Sequence, residues 1–343
     1  MRFVSDNTAS ASPEILEAIR AANSGLAPAY GEDRWSQRLD RVFGEYFDTE
    51  VRVFSVVTGT AANALALATV TPPYGAVFTH EEAHVMRDEC GAPEFFSGGA
   101  RLVTMAGRHG KVTPEAFARA LAANPPTVHT VQPAALTLTQ ASEFGTVYTP
   151  AEISALAEVA HAQRLAVHLD GARLANAIVT LNCHPAATTW RAGVDVLSFG
   201  ATKNGALGAE AVVFFDLKRV ADFELRRKRA GQLLSKSRFV AAQLLAYIET
   251  GLWRRNAERS NQLALRISAA AAERLLGPVQ ANEVFINLGE EAKRELRQAG
   301  FDFYDWGAES SGETRFVVSW DQPEEDVRAL CDALSRPRSL SPR

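Results

Sequence analysis

Three short stretches of this 343-residue chain combine residue types and positions that could do chemistry. Thr58-Gly59-Thr60-Ala61-Ala62-Asn63 stands where an apolar run ends and an Ala/Leu-rich segment begins. Small residues at a strand-to-helix junction let an anion approach the free N–H groups of a helix N-terminus, and hydroxyls add donors. The stretch has neither the GxGxxG spacing of a dinucleotide site nor the GxxxxGK[ST] spacing of a nucleotide loop, so a monophosphate fits it better. His168-Leu169-Asp170-Gly171-Ala172-Arg173 ends a second apolar run with a carboxylate, at the kind of strand end where open α/β sheets bind ligands. A carboxylate there can salt-bridge a protonated ring nitrogen. Ser198-Phe199-Gly200-Ala201-Thr202-Lys203-Asn204-Gly205 places a lysine among small residues after a third run, whereas lysines ordinarily sit on solvated helix faces. A positioned amine of this kind is what Schiff-base chemistry requires.

Each stretch alone also reads as ordinary structure: a glycine turn with a hydroxyl N-cap, an aspartate pairing with Arg173, a loop lysine in water. Taken in order they describe one cofactor with a phosphate, a pyridine nitrogen and an aldehyde, which is pyridoxal phosphate. Lys203 is then its Schiff-base residue. His168 shares a strand face with Asp170 and reads either as an orienter of that acid or as a packed core histidine.

The elements that must position these groups are legible as alternation. Near-continuous apolar or β-branched runs at Val51–Val57, Ala76–Thr79, Leu102–Met105, Thr127–Val131, Leu165–Leu169, Val194–Phe199 and Ala211–Phe215 predict strands buried on both faces. Ser12-Pro13, Thr113-Pro114 and Thr149-Pro150 each pair a hydroxyl N-cap with proline at the first helical position, and Glu152 completes a capping box for the third. Strands alternating with helices imply an α/β fold with a mostly parallel sheet. Only residues 201 to 208 separate the Val194 and Ala211 runs, too few for a parallel crossover, so that pair is expected to be antiparallel. Helices over Phe239–Leu252 and Asn256–Leu276, strands at Glu283–Leu288 and Thr314–Trp320, and a last helix after Asp321-Gln322-Pro323-Glu324 predict a smaller α+β domain. The expected division is an N-terminal arm over 1–25, a large cofactor-binding α/β domain over 26–240 and a small C-terminal domain over 241–343. Pro337 to Arg343 reads as disordered.

Composition narrows the class. Hydrophobic residues make up 47% and charged residues 22%, with a net charge of -4, which gives no basic footprint for nucleic acid. No apolar stretch is long enough for a signal core or a membrane span, so a cytoplasmic location is expected. The three cysteines, Cys90, Cys183 and Cys331, lie far apart without a CxxC pair, and the seven histidines include no HExxH, so neither a disulfide framework nor a metal site is expected.

Beyond these physical readings, the chain resembles the threonine aldolases among the fold-type-I pyridoxal-phosphate enzymes, in particular the low-specificity L-threonine aldolase branch. The stretches that carry the likeness are Ser5-Asp6-Asn7, Ala29-Tyr30-Gly31-Glu32-Asp33-Arg34-Trp35, Ala83-His84-Val85 and Asp88-Glu89-Cys90-Gly91-Ala92-Pro93-Glu94. They continue with Asp170-Gly171-Ala172-Arg173, Thr202-Lys203-Asn204-Gly205, Ser235-Lys236-Ser237-Arg238-Phe239 and Arg315-Phe316-Val317-Val318-Ser319-Trp320. The resemblance implies aldol cleavage of L-threonine, L-allo-threonine and relatives such as phenylserine to glycine and an aldehyde. It implies that Lys203 and Asp170 hold the cofactor, with Thr58, Gly59 and Thr60 at its phosphate. It places His84 over the ring as the group that starts proton transfer from the substrate hydroxyl, and Ser5, Arg173 and Arg315 on the substrate carboxylate. Tyr30 would enter the site of a neighbouring subunit in a homotetramer, with Lys228 and Lys236 near the phosphate across that interface. Where family members often carry Asn or Glu near the ring hydroxyl, this chain has Thr139-Gln140-Ala141-Ser142-Glu143, with Gln140 as a candidate for that contact, and the run Arg226 to Arg229 otherwise reads as a solvated helix face.

Three other readings stay open on the sequence alone. Fold and lysine do not choose the bond broken, so transamination or β-elimination would use the same cofactor. A non-catalytic protein could retain the fold. A nicotinamide oxidoreductase would need GxGxxG after a strand, which is absent.

Overall fold

The computed structural model describes residues 1–220 and 222–335, so the tail from Pro337 to Arg343 lies outside the described residues. The larger sheet contains β1 (Arg52–Val56), β2 (Gly75–His80), β3 (Arg101–Met105), β4 (Gln132–Thr139), β5 (Ala166–Gly171), β6 (Val196–Gly200) and β7 (Glu210–Phe214). Their spatial order is β1-β7-β6-β5-β4-β2-β3, with β7 antiparallel to both its neighbours and the remaining pairs parallel. The fold is therefore α/β of the mostly parallel kind with one antiparallel strand, and the short 201–208 connection pairs as its length requires.

Alternate residues of one strand go to different cores, which explains the unbroken apolar runs. Phe54, Val196, Val212 and Phe214 pack with Ala62 and Leu65 of the helix Gly59–Val70. Val53, Leu197, Ala211 and Val213 pack on the opposite face with Phe43, Phe199, Leu244 and Tyr247. Neither face of the sheet meets solvent there, so polarity has no alternation to follow.

One strand differs from expectation. Thr127–Val131 forms a turn, because the Thr130 hydroxyl donates to the Pro125 carbonyl (2.6 Å) and accepts from the Thr127 N–H (2.9 Å). Hydroxyl bonds of this kind compete with a ladder. The strand begins at Gln132 and includes Pro133, where the pairing with β2 shifts register between Ala76 and Val77. Proline has no N–H to give a ladder, and the irregularity sits where that donor is missing.

All three hydroxyl–proline signals open helices: Pro13–Ala22, Pro114–Ala123 and Pro150–Ala162. Thr113 and the Thr149/Glu152 capping box act as expected. Ser12 does not cap; its hydroxyl instead accepts from Asn256 Nδ2 at 3.0 Å.

The smaller sheet has order β8 (Glu283–Asn287), β10 (Glu313–Val317), β9 (Tyr304–Asp305). Its core joins Val284, Ile286 and Phe316 to Leu263 and Ile267 of the helix Leu252–Ala271 and to Leu330 of the helix Glu324–Ser335. Phe3 belongs to this core: its N–H donates to the Asp302 carbonyl and its carbonyl accepts from the Val317 N–H. The start of the chain is thereby carried to the C-terminal end of β5, where Asp6 meets Arg173. Among the described residues no helix is long and apolar enough to cross a membrane.

Candidate active site

A cavity of about 270 Å³ opens at the C-terminal ends of β1, β4, β5 and β6. Thr58, Gly59, Thr60, Asn63, His84, Glu143, Asp170, Arg173, Lys203 and Glu210 line it, together with Asn7. Seven of the residues singled out in the sequence, Thr58, Gly59, Thr60, His84, Asp170, Arg173 and Lys203, are therefore gathered in one place.

At the helix start, Thr58 Oγ1 accepts from the Ala61 N–H at 3.1 Å, and the Thr58 carbonyl accepts from Ala62. The Gly59 and Thr60 N–H groups, first in the helix, have no intrahelical acceptor to reach. A side chain built on Gly59 would meet nothing within 4 Å, so this end faces open space.

Asp170 is buried, with Oδ2 accepting from Asn63 Nδ2 at 2.7 Å and Oδ1 from the Ala172 N–H at 3.0 Å. Gly171 follows because β5 and β6 approach closely: a Cβ there would lie 2.7 Å from the Ser198 carbonyl oxygen. His168 donates to or accepts from Thr137 Oγ1 (2.7 Å) and Ser198 Oγ (2.9 Å) on the two adjoining strands. Burial pushes its pKa down to about 4, so it is a neutral packing group, and neither ring nitrogen bonds Asp170.

Lys203 sits in a tight turn held from behind. Asn204 Nδ2 donates to Tyr247 Oη (2.7 Å) and the Trp253 carbonyl (2.8 Å), while Asn256 donates to the Asn204 carbonyl. Gly205 has φ +113°, and a Cβ on it would fall 2.3 Å from Ser12 Oγ. This turn thus needs glycine both for its backbone and for contact with the first helix.

His84 Nδ1 lies 2.8 Å from Glu89 Oε1, and Asn63 Nδ2 reaches the same oxygen at 2.8 Å. The Glu89 hydrogen bond raises the His84 pKa against the opposing effect of burial. Burial raises Glu89 as well, against the His84 and Asn63 hydrogen bonds that lower it. Asn63 links the dyad to Asp170 through one amide. Glu143 Oε1 accepts from the His84 N–H (2.7 Å) and Thr139 Oγ1 (3.0 Å), and burial raises its pKa to about 7. Glu210 is likewise raised to about 7 by burial.

Arg173 leaves the cavity wall toward the smaller sheet. Its Nε and Nη2 grip Asp6 at 2.7 and 3.0 Å, and Nη2 lies 3.4 Å from Glu283 Oε1. Burial opposes its charge, but Asp6 and Glu283 together push its pKa up. Arg315 Nη1 stands 4.0 Å from the same Glu283 oxygen, with its guanidinium over the Tyr304 and Trp306 rings at 5.2 and 5.4 Å.

Ser5, Tyr30, Gln140, Lys228, Lys236 and Arg315, all considered in the sequence, are not in the cavity lining. Ser5 Oγ accepts from the Asn7 N–H, capping the first turn. Tyr30 is 50% exposed with Lys228 Nζ 4.6 Å over its ring, outside its own chain's cavity, and Lys236 is exposed. Gln140 is fully buried elsewhere: Nε2 donates to the Tyr148 carbonyl and Thr188 Oγ1, and Oε1 accepts from the Tyr148 N–H. Its side chain is consumed in holding that loop. The basic run is not uniformly solvated, since Arg227 is buried against Ser55.

The sequence reading missed Asn63, Glu89, Glu143, Glu210, Asp6 and Glu283 as functional groups. A polar Asn63 inside an Ala/Leu helix was a signal within reach. For Glu210 and Glu283, which sit in apolar strands, only burial identifies them.

The residues present fit pyridoxal phosphate. Free N–H groups at Gly59 and Thr60 suit a phosphate, ionisable Asp170 lies between fixed donors deep in the cavity, and Lys203 closes the same space. Asn63 Oδ1 and Glu143 Oε2 are buried polar atoms with no hydrogen-bond partner, so the lining has bonding capacity left over.

Comparison with known proteins agrees with this geometry. The profile of the beta-eliminating lyase family matches residues 2–291. A low specificity L-threonine aldolase of Pseudomonas sp. (strain NCIMB 10558) is 44% identical over 333 residues, covering 96% of this chain and 95% of that protein. One of the same name from Pseudomonas aeruginosa is also 44% identical over the same shares. Among solved structures, threonine aldolase of Leishmania major superposes with a TM-score of 0.91 at 26% identity, covering 97% of this chain and 98% of that one.

Proposed function

The chain belongs to the beta-eliminating lyase family, and from that premise we propose that it is a pyridoxal-phosphate lyase cleaving L-threonine and L-allo-threonine to glycine and acetaldehyde. Related β-hydroxy-α-amino acids such as phenylserine fall in the same substrate class. The observation that carries the reading is the convergence of Lys203, Asp170, the Thr58–Thr60 helix start, His84 and Arg173 on one cavity.

Bound there, pyridoxal phosphate supplies a protonated ring able to accept the electrons of the breaking Cα–Cβ bond. Lys203 offers the amine that holds its aldehyde, and Asp170 holds the proton on the ring nitrogen because Asn63 and Ala172 keep the carboxylate oriented. Thr58, Gly59 and Thr60 bind the phosphate.

Arg173 and Arg315, with Ser5 at the turn beside them, hold the substrate carboxylate. Fixing that group sets which Cα bond stands perpendicular to the ring, and so selects Cα–Cβ cleavage over loss of the α-proton. His84, with Nδ1 tied to Glu89, presents Nε2 to the β-hydroxyl and takes its proton, either directly or through a water it positions. Neutral His84 is the competent form. Because the Glu89 bond raises its pKa, activity should rise with pH through a limb above the ordinary histidine range.

Exposure of Tyr30 and its pairing with Lys228 support a site shared between subunits, in a homotetramer built from dimers. The test is release of acetaldehyde, coupled to alcohol dehydrogenase, from L-threonine and L-allo-threonine. Acetaldehyde from the L forms is expected; keto acid or ammonia without acetaldehyde overturns the reading in favour of transamination or elimination.

A further inference from the structure

Two buried carboxylates face the arginines assigned to the substrate carboxylate, and they differ in how they are held. Asp6, from the N-terminal turn, accepts two bonds from Arg173 and a third from Asn282 Nδ2 at 3.0 Å. Those partners outweigh its burial and lower its pKa. Glu283, at the start of β8, has a fully buried side chain, and neither of its oxygens has a hydrogen-bond partner. Its nearest cationic groups are Arg173 Nη2 at 3.4 Å and Arg315 Nη1 at 4.0 Å, and the Arg315 Nε–H is itself buried without an acceptor. The charged groups facing it come from four elements: Arg173 before the helix Leu174–Leu181, Arg315 on β10, Asp6 on the N-terminal turn and Lys203 on the β6–β7 turn. A Cβ built on Gly145 would fall 3.0 Å from the Glu283 Cβ, so the Gly145 backbone packs closely behind this residue.

Nearest the two carboxylates stand two arginines; Lys203 acts on Glu283 more weakly than either arginine and is committed to the cofactor. A substrate carboxylate entering between the arginines adds a third negative charge beside a fully buried one, where an uncompensated charge is strongly disfavoured. Protonation of one acid removes that excess. Asp6, with its three hydrogen bonds, is the costlier to protonate; Glu283 has none to lose.

We propose that Glu283 is a positioning residue that competes with the substrate carboxylate for Arg173 and Arg315, and that carboxylate binding is coupled to uptake of one proton by Glu283. This rests on the reading of Arg173 and Arg315 as the carboxylate site. Burial, which raises the Glu283 pKa more than the arginines and Lys203 lower it, favours the same exchange. The proton comes from solvent, and no bond other than the carboxyl O–H is made. The consequence for specificity is that a ligand carboxylate is admitted only with its compensating proton, so affinity falls as pH rises.

The test uses the holoenzyme and 3-hydroxybutyrate, which has the carboxylate and β-hydroxyl but no amine to exchange with Lys203 or to titrate. Calorimetric titration in buffers of different ionisation enthalpy, from about pH 6 to about pH 9, the range a buried carboxyl can reach, counts protons taken up. Cofactor absorbance followed in parallel accounts for protons gained at Lys203. The wild type should take up about one further proton per ligand, with Kd weakening up to roughly tenfold per pH unit where Glu283 ionises. Glu283→Gln should abolish that uptake and flatten the profile, binding roughly tenfold tighter than wild type at the alkaline end. Arg315→Lys should weaken binding at every pH. If Arg315→Lys weakens binding but the wild type takes up no further proton, or Glu283→Gln leaves uptake and profile unchanged, the Glu283 exchange is wrong and the carboxylate site stands. If Arg315→Lys leaves binding unchanged, the carboxylate reading fails and takes the exchange with it.

Discussion

The site has two walls built in different ways. The wall proposed to hold the cofactor comes from the larger sheet: Thr58 to Thr60 after β1, Asp170 at the end of β5 and Lys203 after β6, each at a strand end and each within a short stretch of sequence. The wall proposed to meet the substrate carboxylate is assembled from Asp6, Arg173, Glu283 and Arg315, drawn from the N-terminal turn, the start of one helix and two strands of the smaller sheet. On the first wall the acid, Asp170, is held by two fixed donors; on the second, Glu283 has none. A wall of local motifs is preorganised for one group that stays. A wall of long-range contacts retains unspent bonding capacity for one that comes and goes.

The largest test of this contrast is Lys203→Ala, which removes the amine of the first wall. Acetaldehyde release should fall by at least ~10⁴-fold in kcat, the scale of losing a covalent catalytic group. Residual activity within tenfold of wild type would break the assignment of the cofactor wall. Arg173 joins the walls, and Arg173→Lys exchanges a bidentate grip for a point charge beside Asp6 and Glu283. A loss of roughly 10²- to 10³-fold in kcat/KM is expected, mostly in KM, because one partner of a buried charged cluster is weakened. An equal fall in kcat with KM unchanged would place Arg173 on the cofactor wall instead.

Glu89→Gln sharpens the comparison at the cofactor side. Losing the charged partner should lower kcat roughly tenfold, as orienting groups behind a catalytic histidine do. It should also move the acid limb of kcat/KM to lower pH, because the bond that raises His84 then runs to a neutral amide oxygen rather than a carboxylate. A limb that stays in place would show that another group titrates. The smallest effect belongs outside both walls: Thr149→Ala deletes one half of the capping box on Pro150–Ala162 and should cost about 1 kcal/mol in unfolding free energy, with kcat unchanged.

The amino-acid sequence by itself determined the first wall, because each of its parts needs only a strand end and the few residues after it. The TGTAAN, DGAR and TKNG stretches state their chemistry locally, and the spacing of β6 and β7 dictates the antiparallel pair. It misplaced β4, where Thr127 and Thr130 bond their own turn and the strand tolerates Pro133 at a register shift. It also offered Gln140 for the ring, a residue whose amide is spent on Tyr148 and Thr188.

Only the tertiary structure decided the second wall. Arg315 could be picked out by resemblance, yet nothing in a strand reading Glu-Val-Phe-Ile-Asn says that Glu283 will be buried between two arginines. The physical reason is that a local motif carries its own geometry in backbone hydrogen bonds. The charge balance of a buried cluster, by contrast, exists only once Phe3 has entered the smaller core and brought Asp6 to Arg173.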